Sequence, residues 1–258
     1  MTNRMQDLLS AGKPAIGAQL RFGSSAIAEL FGHAGYDWLV IDSEHAPQTP
    51  VSIQHQLQAI GNTPATPFVR LSHLDVEQIR LYLDMGAMGI IAPFIETPED
   101  AALGAKACRY PPIGCRGFGP HRASRYGLNT QAYLAQIDTQ VMFIGLIESA
   151  QALDNIDAIL AVDGLDSVVI GAVDLSYSLG IPFDYDNPIF QQAQARVAAA
   201  AARAAKPAGL GIYRPAFDPQ SLKSALDAGF RTLLIGGDEP FLTAGCQEMN
   251  NVRTQLGL

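Results

Sequence analysis

Cysteine and tryptophan are scarce: the 258 residues include three cysteines and one tryptophan. Cys108, Cys115 and Cys246 form no CxxC pair, which argues against a thiolate zinc centre, and an odd count gives no disulfide framework. They read as reduced thiols. Long apolar runs are missing as well. No stretch approaches the roughly 20 apolar residues that span a bilayer, and Met1 to Lys13 carries no apolar signal core. Positive charge is in deficit, with 17 Lys and Arg against 25 Asp and Glu and a formal net charge of -8. Such a chain gains nothing from the phosphate backbone of nucleic acid. These absences lead us to expect a soluble cytoplasmic protein with neither membrane nor nucleic-acid partners.

The chain is rich in apolar material placed in a regular order. Hydrophobic residues make up 48% and charged residues 16%, enough for a core and unlike a disordered segment. Eight short β-forming runs recur: PAIGAQL (14–20), DWLVID (37–42), TPFVR (66–70), MGIIAPF (88–94), VMFIGLIE (141–148), DSVVIG (166–171), AGLGIY (208–213) and RTLLIGG (231–237). Helical spacing follows them, as in Ile27, Leu30 and Phe31, then Ile53, Leu57 and Ile60, then Val76, Ile79 and Leu83. Pro98 to Lys106 has a proline near its start, as helices tolerate. An Ala-rich helix is expected from Pro188 to Ala205, a shorter one around Leu222 and Leu226, and Leu242, Met249, Val252 and Leu256 stripe a last helix. Nearly continuous apolar runs suit parallel strands covered on both faces. The order predicts one (β/α)8 barrel spanning residues 1–258. The doubly wound alternative lacks its fingerprint, a GxGxxG between strand and helix; RGFGPHRAS (116–124) lies in a long connection after the fourth helix.

In such a barrel, catalytic residues stand at the C-terminal ends of the strands. Asp42, Glu44 and His45 leave the second run, Arg70 ends the third, Glu148 ends the fifth, and Asp174 lies just past the sixth. Taken singly, each has a structural explanation. Glu148 suits a helix N-terminus, and Asp174 in DLS suits a cap. His45 can be a loop histidine, Arg70 the partner of a structural carboxylate, and Asp42 an organiser of loop hydrogen bonds. Their recurrence at one end of successive strands argues for a shared site. Glu148 and Asp174 have no cationic residue between them, so bringing them together raises one pKa by repulsion. A divalent cation removes that conflict. Hard oxygen ligands completed by water suit Mg²⁺ or Mn²⁺ and tolerate Co²⁺. Arg70 can then bind a carboxylate or steady an oxyanion, and His45 is the candidate base. The set reads as proton abstraction next to a polarised carbonyl, which is enolate chemistry.

The segments DWLVIDSEHAP, FVR, LDMGA, RGFGPHRASRYG, LIES and IGAVDLSYSLG, in this order, resemble the HpcH/HpaI family of class II pyruvate aldolases over essentially the whole chain. The resemblance implies a (β/α)8 barrel assembled as a hexamer, a dimer of trimers, with the last helix exchanged between neighbours. It implies that Glu148 and Asp174 bind the metal, Mg²⁺ foremost, with Mn²⁺ or Co²⁺ as alternatives. A 2-oxo acid would meet that ion through its keto and carboxylate oxygens. The stretch Gly171, Ala172, Val173 and Asp174 would hold the carboxylate through backbone N–H groups. Arg70 would stabilise the pyruvate enolate. His45 would be the acid/base, acting through water, supported by Asp42 and by an Asp84 from an adjacent subunit. Asp84 also has a simpler account as a surface acid at a helix C-terminus. The implied reaction cleaves or forms 4-hydroxy-2-oxo acids from a pyruvate or hydroxypyruvate enolate and an aldehyde. None of the lysines (Lys13, Lys106, Lys206, Lys223) ends a barrel strand, which agrees with a mechanism without a Schiff base.

Departures from the family pattern cluster near the substrate. Leu146 stands where glutamine is usual, and Gln19, Arg21 and Phe22 occupy a strand end that usually offers tryptophan. Ala172 and Val173 alter the usual GPADLS. Arg21 could meet an anionic or hydroxylated acceptor. Arg116, His121, Arg122 and Arg125 form a basic segment expected near the rim, to guide carboxylates or to bind acids across a subunit contact. Competing functions are oxaloacetate decarboxylation by the same machinery, a CoA-ester lyase, a metal-dependent phosphodiester hydrolase and a non-catalytic binding barrel.

Overall fold

A computed structural model describes residues 2–212 and 219–258. Eight parallel strands close into a barrel in sequence order, with β8 pairing back onto β1. They are β1 (Ala15–Leu20), β2 (Trp38–Asp42), β3 (Thr66–Arg70), β4 (Gly89–Ala92), β5 (Met142–Ile147), β6 (Ser167–Ile170), β7 (Ala208–Ile212) and β8 (Thr232–Gly237). Each lies inside the apolar run that foretold it. Tyr213, read into the seventh run, lies outside the described residues.

Helices α1 (Arg4–Ser10), α2 (Ser25–His33), α3 (Pro50–Ile60), α4 (Val76–Asp84) and α5 (Pro98–Ala107) come first. The short α6 (Thr130–Leu134), α7 (Ile137–Gln140), α8 (Ala150–Asp154), α9 (Ile156–Leu160) and α10 (Ala172–Ser178) follow. Then come α11 (Pro188–Ala204), α12 (Pro219–Asp227) and α13 (Asp238–Gln255). Their starts are locally encoded. Thr49 and Ser52 form a capping box ahead of Pro50, and Thr97 and Asp100 do the same ahead of Pro98. Asp75 accepts the Gln78 N–H at 2.7 Å to begin α4.

Strand side chains alternate between two cores. Leu39 and Ile41 of β2 pack outward with Ile53 and Leu57 of α3. Trp38 and Val40 point to the barrel axis, where they join Phe68, Ile91, Ile144, Leu146, Val169 and Leu234. Burying such a side chain contributes about 1.5–3 kcal/mol. Trp38 meets Phe68 edge-on with ring centroids 5.5 Å apart. Gly17 and Gly89 make room for these rings: a Cβ at either would collide with Trp38 or Phe68. Asp42 and Arg70, paired in register, continue the same inward rows one layer higher. The hydrophobic interior thus ends in a charged layer at the C-terminal rim.

Helix α1 was not read from the sequence. It closes the opposite end of the barrel, with Met5 fully buried in the cluster that holds Trp38. The Asn3 side chain ties it to the carbonyls of Met88 (3.3 Å) and Gln140 (2.7 Å). Seven residues are too few for a periodic signal to stand out. Helix α13 contacts its own barrel chiefly through its start. Asp238 is its one buried residue, while Leu242, Met249 and Leu256 are exposed. No helix among the described residues is long and apolar enough to cross a membrane.

Candidate active site

Asp42 is the hub of the rim. Its buried carboxylate accepts Arg70 Nε at 2.9 Å on Oδ1 and Arg70 Nη2 at 2.6 Å on Oδ2, a two-pronged fork. Oδ2 also accepts Gln19 Nε2 (2.8 Å) and Arg21 Nε (3.2 Å). Oδ1 accepts the backbone N–H groups of Glu44 (3.0 Å) and His45 (3.2 Å). Burial alone would raise the Asp42 pKa, but Arg70 and the two loop N–H groups outweigh it and hold the carboxyl below its usual range. Asp42 is therefore both an organiser of the loop, as one reading of the sequence held, and the support that aims Arg70.

Glu44 is the residue to which sequence reasoning gave no role. Its side chain is nearly buried, with Oε2 3.2 Å from Arg70 Nη1 and 3.8 Å from His45 Nε2. Neither contact gives Oε2 a hydrogen bond. Burial raises its pKa; Arg70 and His45 oppose the rise, and the charges of Asp42 and Asp174 add to it. The signal was in the alternation, since Asp42 and Glu44 are two residues apart and share a direction while Ser43 turns away to the Arg70 carbonyl.

Glu148 follows β5 and is 3% exposed. Its Oε2 accepts the Phe94 N–H at 2.9 Å. Phe94 presents that N–H from a left-handed backbone, φ 48°, an uncommon conformation for a bulky residue and typical of functional loops. Burial, with the charges of Glu44 and Asp174, pushes the Glu148 pKa up to about 7 against the opposing Phe94 N–H and Arg70. Gly171 leaves the space this carboxylate fills: a Cβ there would strike Glu148 Oε1. Asp174 stands in the first turn of α10, not at its cap, which is Gly171. No side chain caps that helix, so its first-turn N–H groups are left to other partners.

Gln19, Arg21, His45, Arg70, Glu148 and Asp174 line one cavity of about 1190 Å³, with Gly171, Ala172 and Val173 on its wall. His45 is half-exposed there. Among the described residues, no three His, Cys, Asp or Glu side chains are arranged to hold a metal ion. Glu148 and Asp174 offer two hard oxygen donors, and their raised electrostatic energy is of the kind a dication relieves. The pair fits such an ion, with water or substrate as the remaining ligands.

Asp84 is not brought to this rim within the chain. It ends α4, which runs antiparallel to the strands, and its Oδ1 accepts Arg116 Nη2 at 2.6 Å. The basic segment sits there too, contrary to its expected place near the rim. Arg122 Nη1 donates to the Met85 carbonyl at 3.0 Å, and a Cβ on Gly61, which caps the end of α3, would meet Arg122 Nη2. A connection that leaves a helix lies at the N-terminal end of the strands, away from the βα loops.

Comparison with known proteins accords with this geometry. Residues 20–238, which contain every rim residue described above except Gln19, match the model of the HpcH/HpaI aldolase/citrate lyase family. A 2-keto-3-deoxy-L-rhamnonate aldolase of Klebsiella pneumoniae is 38% identical over 94% of this chain and 90% of its own length. A 4-hydroxy-2-oxovalerate aldolase of Rhodococcus jostii is 43% identical over 74% of each chain. The crystal structure of an HpcH/HpaI aldolase/citrate lyase family protein from Burkholderia cenocepacia superposes with a TM-score of 0.89 at 36% identity, covering 98% of this chain and all of that one. With a closed eight-stranded barrel and its charged rim in place, the chain belongs to the HpcH/HpaI aldolase/citrate lyase family and is a lyase.

Proposed function

We propose that this enzyme is a divalent-metal-dependent aldolase that cleaves and forms 4-hydroxy-2-oxo acids, with pyruvate or hydroxypyruvate as enolate donor and an aldehyde as acceptor. The observation that carries this is the buried Glu148 beside Asp174, facing an Arg70 whose guanidinium is fixed by Asp42. A divalent ion at the two carboxylates, Mg²⁺ foremost, would polarise the donor's keto group and lower the cost of removing a C3 proton. The uncapped first turn of α10, at Ala172, Val173 and Asp174, would receive the donor carboxylate. Arg70 would face the enolate oxygen. His45, half-exposed and beside Glu44, would take the C3 proton and return it to the acceptor oxygen, in both cases through water. In cleavage the same groups act in reverse: the C4 hydroxyl is deprotonated, the C3–C4 bond breaks, and an aldehyde leaves the enolate. The names of both aldolases above specify oxo acids as substrates, which supports the donor class.

The proposal extends to the assembly. A hexamer in which α13 crosses to a neighbour would cover the exposed Leu242, Met249 and Leu256, and would let Asp84 of one subunit approach the rim of another. We place this enzyme in the cytoplasm, where Cys108, Cys115 and Cys246, all free thiols, stay reduced. The test is an assay of pyruvate released from a 4-hydroxy-2-oxo acid, before and after chelation, with phosphodiester hydrolysis followed in parallel. Release that stops with EDTA and returns with Mg²⁺ supports the aldolase. Phosphate-ester cleavage without pyruvate release contradicts it.

A further inference from the structure

Across the rim from Glu148, an ion pair lines the cavity that the chemistry above does not use. Arg21, one residue past β1, donates through Nη1 to Glu239 Oε2 at 2.8 Å while its Nε holds to Asp42. Glu239 is the second residue of α13, directly after β8. Both side chains are partly exposed, 35% for Arg21 and 47% for Glu239, and an ion pair so exposed contributes little to stability. Their backbones are nonetheless fixed. The buried Asp238 accepts the N–H groups of Arg21 (2.9 Å), Phe22 (3.0 Å) and Glu239 (2.8 Å). Among the described residues, Arg21 Nη2 and Glu239 Oε1 have no hydrogen-bond partner. A donor and an acceptor thus stand next to each other on the cavity wall that also holds His45 and Arg70.

We propose that Arg21 and Glu239 select the aldehyde acceptor, and that they favour an uncharged aldehyde bearing a hydroxyl group; this rests on the aldolase function proposed above. A hydroxyl accepts from Arg21 Nη2 and donates to Glu239 Oε1 at the same time. A carboxylate can only accept, and it meets the charge of Glu239 along with that of Arg21. A plain alkyl chain satisfies neither atom and removes both from water. Sites built to hydrogen-bond a hydroxyl discriminate strongly against the analogue that lacks it.

The experiment compares three aldehydes with pyruvate and saturating Mg²⁺: propanal, 2-hydroxypropanal and a carboxylate-terminated aldehyde. Each is run on the wild type, Arg21→Met and Glu239→Leu. The readout is the ratio of kcat/KM values within one protein, because every acceptor meets the same enolate and any general damage cancels. The wild type is expected to prefer 2-hydroxypropanal over propanal by about tenfold or more, and either substitution to bring that ratio close to one. Glu239→Leu should also raise the carboxylated aldehyde relative to propanal, by releasing Arg21. A wild type that prefers propanal or the carboxylated aldehyde, or variants that keep the wild-type ratio, would overturn the assignment. Should either variant not fold, the wild-type ratios alone decide. Failure of the aldolase function itself would show separately, as no metal-dependent exchange of pyruvate methyl protons in the wild type, and would overturn both.

Discussion

Glu148 is a carboxylate buried next to two others, Glu44 and Asp174, with the Phe94 N–H as its hydrogen-bond donor. Its pKa of about 7, raised from 4.5, means that the folded state without metal binds this proton more tightly than the unfolded chain does. That contribution to stability is present below pH 4.5 and is lost as pH rises through about 7. At pH 8 the ionised group costs the metal-free fold about 3 kcal/mol. Glu148→Gln keeps the shape and removes the charge. Calorimetry should therefore find the metal-free variant more stable than the wild type at pH 8 and no more stable at pH 4. It should also lose any rise in Tm with Mg²⁺, and its turnover should fall at least a hundredfold. Most of these residues were legible in the sequence, because charged residues recur at the same end of successive apolar strands. Glu44 escaped because its neighbours Asp42 and His45 already supplied an anion and a base. What sets it apart is its position against Arg70 and near the charges of Glu148 and Asp174, and only the fold brings these together.

At the scale of elements, the barrel was legible because its strands are covered on both faces and so read as unbroken apolar runs. Their inward rows decide where chemistry can stand: Trp38, Val40 and Asp42 form one such row, and the last position of the row is the first to meet water. The lowest layer depends on small residues. Gly89→Ala would drive a methyl into the Phe68 ring, and overpacking of this kind costs about 1–3 kcal/mol. Thermal unfolding should show that loss, with the specificity constant per folded molecule unchanged, since the change lies at the end of the barrel away from the rim. Helix α1 was missed because its two buried anchors, Asn3 and Met5, carry no periodicity. The segment from Arg116 to Arg125 was misplaced for another reason. Its charge suggested a ligand-guiding role, but it follows α5 and precedes β5, and such a connection lies at the end opposite the catalytic rim. Arg116 there is buried against Asp84 and under the Tyr110 ring, 4.6 Å from its centroid.

At the scale of the whole molecule, α13 exposes an apolar stripe and Asp84 stands far from the rim of its own chain. Both are accounted for by the proposed hexamer. Leu242→Asp combined with Met249→Asp should then lower the mass seen by analytical ultracentrifugation and reduce turnover in parallel. An unchanged mass would remove the assembly from the proposal without touching the metal site. The proposed metal site was legible as two strand-end acids with no cation between them, although carboxylates from separate strand ends form no spacing motif. The most direct measurement follows the methyl protons of pyruvate by NMR in deuterated water, with no aldehyde present. Exchange should disappear on chelation, return with Mg²⁺ or Mn²⁺, and be absent from Glu148→Ala and Asp174→Ala at any metal concentration. Exchange that persists after exhaustive chelation, or in either carboxylate variant, would contradict the proposed role of Glu148 and Asp174.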